Sequence, residues 1–204
     1  LNTTINNEFG LYFSTIILIL IIFFSVGLIN FINFMDGIDG LVAGCLIIVF
    51  GIFSISNPLS LIIFSMLLGF LFWNWEPSKI FMGDVGSTYL GSLIIGFIFT
   101  SSNLKTSYEY VLLLSPLLAD AFFTVLRRLF YKLNIFSPHR MHLYQRLNIK
   151  GFSHAAISKM YIIATIFLCS IYLTKSTLIL TFSTSLVLCS GYIIDTKLAV
   201  PFKS

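Results

Sequence analysis

The sequence predicts an all-α fold: a polytopic membrane protein of about seven transmembrane helices joined by polar loops. Three observations carry this. Of the 204 residues, 57% are hydrophobic and 10% are charged, against about 25% charged in a soluble domain. The mean hydropathy is +0.97, so polar side chains are too few to cover a surface. The apolar residues also gather into runs close to the roughly 20 residues that a helix needs to cross a bilayer.

Residues 11–32 form the first such run. Residues 41–56 are shorter and end at Asn57-Pro58, a turn signal. Residues 59–75 close on Trp73 and Trp75, as an interfacial aromatic belt would. Residues 87–100, 110–130, 153–174 and 177–194 supply four more runs. No soluble domain fits between them and no internal repeat is visible, so residues 1–204 read as a single transmembrane domain. The chain starts at Leu1 rather than Met, and residues 1–10 carry no basic stretch. It therefore reads as processed, truncated or a fragment. Cys45, Cys169 and Cys189 stand singly in apolar runs, which argues against a disulfide framework or a zinc site.

Loop charges orient the spans. With the loops assigned alternately, one side holds Lys79, Arg127, Arg128, Lys132, Arg140, Arg146, Lys150, Lys159, Lys197 and Lys203, and the other holds Lys105 and Lys175. The basic side is cytoplasmic by the positive-inside rule, with the amino terminus outside and the carboxyl terminus inside. The net charge of +4 is modest and lines a membrane face, so the partner it implies is the lipid bilayer, with no nucleic acid.

The polar constellations fall on that same side. The first is NFMDGIDGL, residues 33–41. On a helix, Asp36 and Asp39 would share a face, and Gly37 and Gly40 would admit a close ligand or backbone. Adjacent carboxylates repel unless a cation or proton intervenes, and magnesium takes carboxylate oxygens together with substrate phosphates. The plainer alternative is a turn, or an Asp capping the next helix. The second is IFMGDVGSTYLG, residues 80–91, where Asp84 sits between Gly83 and Gly86 ahead of Ser87 and Thr88. Small residues opening a helix expose N–H groups that favour anions, and Asp84 beside them would carry a metal to a phosphate. A simple cap at Asp84 or Ser87 is the alternative.

The third is PLLADAFFTVLRRL, residues 116–129. Asp120 lies inside a span, which is costly unless it is paired or faces a polar cavity. Arg127 and Arg128 at the end of that span read first as interface snorkelling. The fourth is FSPHRMHLYQRL, residues 136–147, with His139, His142, Arg140, Gln145 and Arg146. Arg pairs oxyanions bidentately, so this loop suits a phosphate or sugar; an ordinary basic loop on lipid headgroups is the alternative. His154 reads as a surface residue of the following helix. Glu8 and Glu109 are the acids of the far side, and Asp195 lies at the last basic-side end. Together the four motifs describe a site for a diphosphate-bearing substrate and a lipid acceptor.

With these motifs in this order, the sequence resembles the polyprenyl-phosphate N-acetylhexosamine-1-phosphate transferases, the group containing MraY and WecA. NFMDGIDGL, FMGDVGS, PLLADAFFTVLRRL and FSPHRMHLYQRL carry the resemblance, which extends over nearly all of the chain. The His-Arg-x-His form of the fourth motif is closer to the WecA-like branch. The resemblance implies transfer of a sugar-1-phosphate from a UDP-N-acetylhexosamine to undecaprenyl phosphate, with release of UMP, to begin a cell-envelope polysaccharide. It implies Mg2+, with Mn2+ as a substitute, a bacterial inner (plasma) membrane location with the site facing the cytoplasm, and a homodimer. It assigns Asp36, Asp39 and Asp84 to catalysis and metal binding. It assigns Asn33, His139, Arg140, His142 and Arg128 to substrate binding, and it includes Asp120 without a settled role.

One departure stands out. The family carries three or four further spans at the amino end and an Asp-Asp pair in a cytoplasmic loop there, whereas this sequence contains no Asp-Asp. The expectation is therefore a carboxyl-terminal portion of such an enzyme, inactive by itself. Three rival readings fit less well. An intramembrane aspartyl protease would place its acids within spans. A CDP-alcohol phosphotransferase needs an Arg shortly after the Asp-Gly pairs, and residues 41–45 offer none. A transporter or structural membrane protein predicts acids along a mid-membrane pathway, which only Asp120 approaches.

Overall fold

The computed structural model describes residues 2–135 and 137–202, with side chains from Phe13 onward. Phe136 and Lys203, with Leu1 and the side chain of Glu8, enter the motif and charge readings but lie outside the described residues. The described residues form α1 (Asn2–Phe34), α2 (Leu41–Phe53), α3 (Leu59–Asn74), α4 (Gly83–Phe99), α5 (Leu104–Leu113), α6 (Ser115–Phe130), α7 (Leu143–Ile149), α8 (His154–Tyr172) and α9 (Thr177–Lys197). No strand occurs among them.

Each apolar run of the sequence is helical. Among the described residues, three stretches are long and apolar enough to cross a membrane: Phe13–Phe34 within α1, α8 and α9. The α5–α6 pair makes a fourth if it counts as one bent span. Helices α2, α3 and α4 have 13, 16 and 17 residues, or about 20–26 Å at 1.5 Å per residue. That falls short of a hydrocarbon core of about 30 Å.

The fifth run departs from expectation. It is not one helix over 110–130: it starts at Leu104, breaks after Leu113 and bends by 77°. Pro116 stands in the first turn of α6. Proline lacks an N–H, and its ring clashes with the carbonyl four residues back, so the helix has to restart there. Asn103 opens α5 by accepting the Thr106 N–H at 2.9 Å. Helix α7 is a second addition, inside a stretch that hydropathy reads only as loop.

Helix α2 is the centre of the bundle. It packs on α3 and α8, and Leu41–Ile47, Val49, Phe50 and Phe53 are buried or nearly so. A helix that is apolar all round belongs in the interior. Phe50 and Phe53 close its far end with Phe97 of α4 and Tyr110 of α5, the last at 4.2 Å between ring centroids. Helix α1 lies along α4 and α6, with Leu28 and Ile32 buried and its apolar side chains from Phe13 to Phe24 exposed, as suits lipid contact. The ends of α1, α3, α6 and α9 and the starts of α2, α4, α7 and α8 meet at one end of the bundle, where the polar motifs gather.

Candidate active site

The loop after α1 is built by two neighbours that only glycine tolerates. The Tyr144 hydroxyl of α7 donates to the Phe34 carbonyl at 3.0 Å, and a Cβ at residue 37 would collide with that ring. Gly40 is left-handed, with φ of 72°, a conformation that glycine adopts without penalty. The Trp75 indole occupies the space its side chain would need. Asn74 holds the turn, accepting the Gly40 N–H at 3.1 Å and donating to the Ile80 carbonyl at 2.9 Å.

Asp36 and Asp39 therefore do not share a helix face: both lie in the turn between α1 and α2, and they serve different partners. Asp39 accepts from the Ser78 N–H at 3.2 Å and the Ser78 hydroxyl at 2.9 Å. His154 Nδ1 lies 3.3 Å from the same carboxylate, and the Ser158 hydroxyl donates to the Asp39 carbonyl at 2.7 Å. His154 is thus half-buried in a network joining α8 to this turn, rather than a plain surface residue of α8. Asp36 instead accepts the Gly83 N–H at the start of α4 and feels the charge of Asp84. Asn33, one turn before the end of α1, donates to Asp84 Oδ1 at 3.2 Å and to the Ser87 hydroxyl at 2.8 Å.

Their partners set these carboxylates apart from the other acids. Seven acids have described side chains. Asp39 faces His154, Glu109 pairs with Lys105 at 3.9 Å, Asp120 faces His142, and Asp195 pairs with Arg127 and Arg146. Glu76 accepts the His154 and Ala155 N–H groups at 3.3 and 2.6 Å, capping α8 from the far end of α3. Asp36 and Asp84 are left, with no cation beside either among the described residues. Asp84 is exposed in the first turn of α4, at the positive end of the helix dipole. Burial pushes the Asp36 carboxyl up to about 6, the Gly83 N–H opposes this, and the negative charge of Asp84 adds to the rise.

The basic loop divides in two. Asp120 is buried and receives the Leu143 N–H at 2.7 Å, the Tyr144 N–H at 3.2 Å and the Tyr161 hydroxyl at 2.7 Å. It is the remote N-cap of α7, which satisfies donors that would otherwise be orphaned. His142 is buried beside it, its Nδ1 3.6 Å from Asp120, stacked on Tyr144. Arg128 is also buried and donates to the Asn134 carbonyl and, at 2.9 Å, to the Ser137 hydroxyl; it staples the loop and does not snorkel. Arg140 is exposed and His139 half-buried. Burial, then the positive charges of Arg128 and His142, hold His139 down to about 4, so it is neutral at neutral pH. Of the basic-loop residues named from sequence, the structure leaves Arg140 and His139 accessible and engages His142 and Arg128 internally. Glu76, Ser78, Asn74, Tyr144, Tyr161 and Asp195 also build this end of the bundle and are not evident as site residues from sequence. Tyr144 stood inside a singled-out motif; the others carry no local signal, because their partners are remote in the chain.

Chemically, Asp36 and Asp84 offer hard carboxylate oxygens. No group of three or more His, Cys, Asp or Glu side chains stands ready for a metal among the described residues, which does not suit zinc. Magnesium binds through one or two carboxylates and completes its shell with water and phosphate, so this pair fits it. A cavity of about 690 Å³ opens elsewhere, between α6, α7, α8 and α9; Asp120, Arg127, Arg146 and Asp195 line it and neither Asp36 nor Asp84 does.

Fold and site together define a polytopic all-helical membrane protein whose paired carboxylates and His/Arg loop lie at one end of the bundle. The chain belongs to glycosyl transferase family 4, whose profile matches residues 2–102, the part holding Asn33, Asp36, Asp39 and Asp84. It is 35% identical over 172 residues to a probable undecaprenyl-phosphate N-acetylglucosaminyl 1-phosphate transferase of Bacillus subtilis (strain 168), covering 77% of this chain and 48% of that protein. It is 40% identical over 101 residues to a phospho-N-acetylmuramoyl-pentapeptide-transferase of Halalkalibacterium halodurans, covering 45% of this chain and 30% of that protein. The corresponding protein of Renibacterium salmoninarum is 50% identical over 50 residues, 22% of this chain and 14% of that protein. The chain thus spans about half the length, or less, of the curated relatives it matches.

Proposed function

We propose that the protein carrying this chain transfers N-acetylhexosamine-1-phosphate from a UDP-sugar to undecaprenyl phosphate and releases UMP, at the cytoplasmic face of a bacterial plasma membrane. The observation that supports this best is the pair Asp36 and Asp84, set against Asn33 and the start of α4 and, among the described residues, without a cation of their own. The relative that covers most of the chain makes UDP-N-acetylglucosamine the first donor to test.

In this reaction an oxygen of the lipid phosphate forms a bond to the sugar-bearing phosphorus while the bond from that phosphorus to the UMP oxygen breaks. Both reactants are anions, so their mutual repulsion has to be offset. Magnesium, when bound, neutralises phosphate charge. Asp36 and Asp84 would hold it, and the Asn33 amide fixes the Asp84 carboxylate. Arg140, exposed at the loop tip, would meet the diphosphate, and neutral His139 would hydrogen-bond it. Asp39, His142 and Arg128 serve the same site indirectly, by fixing the two loops.

The test uses the complete protein in membranes with UDP-N-acetylglucosamine, undecaprenyl phosphate and magnesium. The expected result is UMP release with a lipid-linked product, abolished by EDTA. Asp36→Asn and Asp84→Asn should each lower kcat by about 100-fold, the scale of losing one electrostatic stabiliser. Asp39→Asn should act chiefly on stability. Full turnover in EDTA, or in either of the first two variants, would overturn the proposal.

A further inference from the structure

Helix α9 and residues 198–202 converge on the base of the His/Arg loop. Asp195 sits in the last turn of α9. A carboxylate there opposes the helix dipole, so its place calls for another cause. It bridges two elements: Arg127 at the end of α6, at 2.5 Å, and Arg146 of α7. Arg146 is buried and commits every nitrogen. Its Nε donates to the Met141 carbonyl at 3.1 Å, its Nη1 to the Val200 carbonyl at 2.7 Å, and its Nη2 pairs with Asp195.

Beyond α9 the chain turns back at once, as the Leu198 and Ala199 N–H groups both bond to the Ile194 carbonyl. This brings Phe202 over both guanidinium groups, 5.6 Å from each, where the ring face attracts cations. The same ring stacks on Tyr131, the first residue after α6, at 5.8 Å and 21°. Phe202 therefore contacts the start of the loop through Tyr131, and Arg146 contacts its end through Met141. Arg128 staples the middle from inside. Between these fixed points lie His139 and Arg140.

We infer that α9 and residues 198–202 form a clamp that positions the His/Arg loop for the nucleotide sugar, with Asp195 and Phe202 as positioning residues. Without Asp195, Arg127 and Arg146 would face each other unscreened. Without Phe202, the ring contact that ties the Tyr131 side chain to Arg146 would be lost. The kinetic arm of this inference rests on the transferase reading given above; the structural arm does not.

The experiment takes the complete protein in nanodiscs, as wild type and as Asp195→Asn, Phe202→Ala and Phe202→Trp. It reads backbone hydrogen exchange over residues 137–146 and steady-state kinetics with UDP-N-acetylglucosamine. Asp195→Asn and Phe202→Ala should speed exchange in that segment and raise KM by about tenfold with kcat within about twofold, the signature of lost ground-state positioning. Phe202→Trp should restore both. Unchanged exchange in Phe202→Ala overturns the clamp. Faster exchange with an unchanged KM overturns its role in donor binding. If the wild type transfers no sugar, the functional reading fails, and the exchange data alone still decide whether the clamp holds the loop.

Discussion

At the scale of single residues, the question is which acids are spent on architecture. The Asp-Gly pattern made Asp36, Asp39 and Asp84 legible in the sequence, because acids fenced by glycine inside apolar chain are conspicuous. What the sequence did not reveal is that Asp39 answers to Ser78 and His154, which are 39 and 115 residues away. Asp36 keeps the more telling environment. In magnesium-free protein its carboxyl should titrate with a midpoint near 6. The sign follows from linkage. The folded pKa lies above the unfolded 3.8, so the native state holds the extra proton between those values. Stability should therefore fall as pH rises from about 4 to 6 and level off above. Asp36→Asn should flatten that slope; a slope unchanged by the substitution would place its origin in another group. Carboxyl NMR of labelled protein in EDTA, with thermal unfolding at each pH, measures both.

At the scale of elements, hydropathy located all seven apolar runs but could not see what polar contacts build. Helix α5 begins in LKTSYE, too polar for a hydropathy window, and the break after it is a local consequence of Pro116. Helix α7 has only seven residues, far below the length at which a helix is stable alone. Asp120, from another helix, caps it, alongside the Gln145 side chain, which accepts the His142 N–H at 3.2 Å. That cap was half legible: an acid inside a span demanded a partner, but Leu143 and Tyr144 lie more than twenty residues on. Asp120→Ala would leave two backbone N–H groups and the Tyr161 hydroxyl without their buried acceptor. The expected cost is about 3–5 kcal/mol, as for breaking a buried polar pair. It should appear as a large fall in the unfolding temperature in detergent, with residues 143–149 losing exchange protection first. A loss below about 1 kcal/mol would mean that packing of Tyr144 and Leu147 suffices to hold α7.

At the scale of the whole molecule, charge asymmetry carries the orientation. Ten of the twelve Lys and Arg residues were assigned to one side from sequence. The structure brings the polar motifs of that side together at one end of the bundle, around Asp36, Asp84 and the His/Arg loop. Lys105, in the first turn of α5, and Lys175, in the α8–α9 connection, lie at the other end. The positive-inside rule then makes a directional prediction. In a Cys189→Ser background, which removes the one exposed cysteine while Cys45 and Cys169 stay buried, single cysteines at positions 140 and 105 should label from opposite sides of the membrane. Arg140→Cys should react only after the cells are opened, and Lys105→Cys should react with a membrane-impermeant maleimide on intact cells. The reverse pattern would place Asp36 and Asp84 outside, where no nucleotide sugar is supplied, and would remove the substrate from the proposed reaction. Labelling of both positions from one side would show that the number of crossings between residues 105 and 140 is even, so that the bent α5–α6 pair enters and leaves the membrane by the same face.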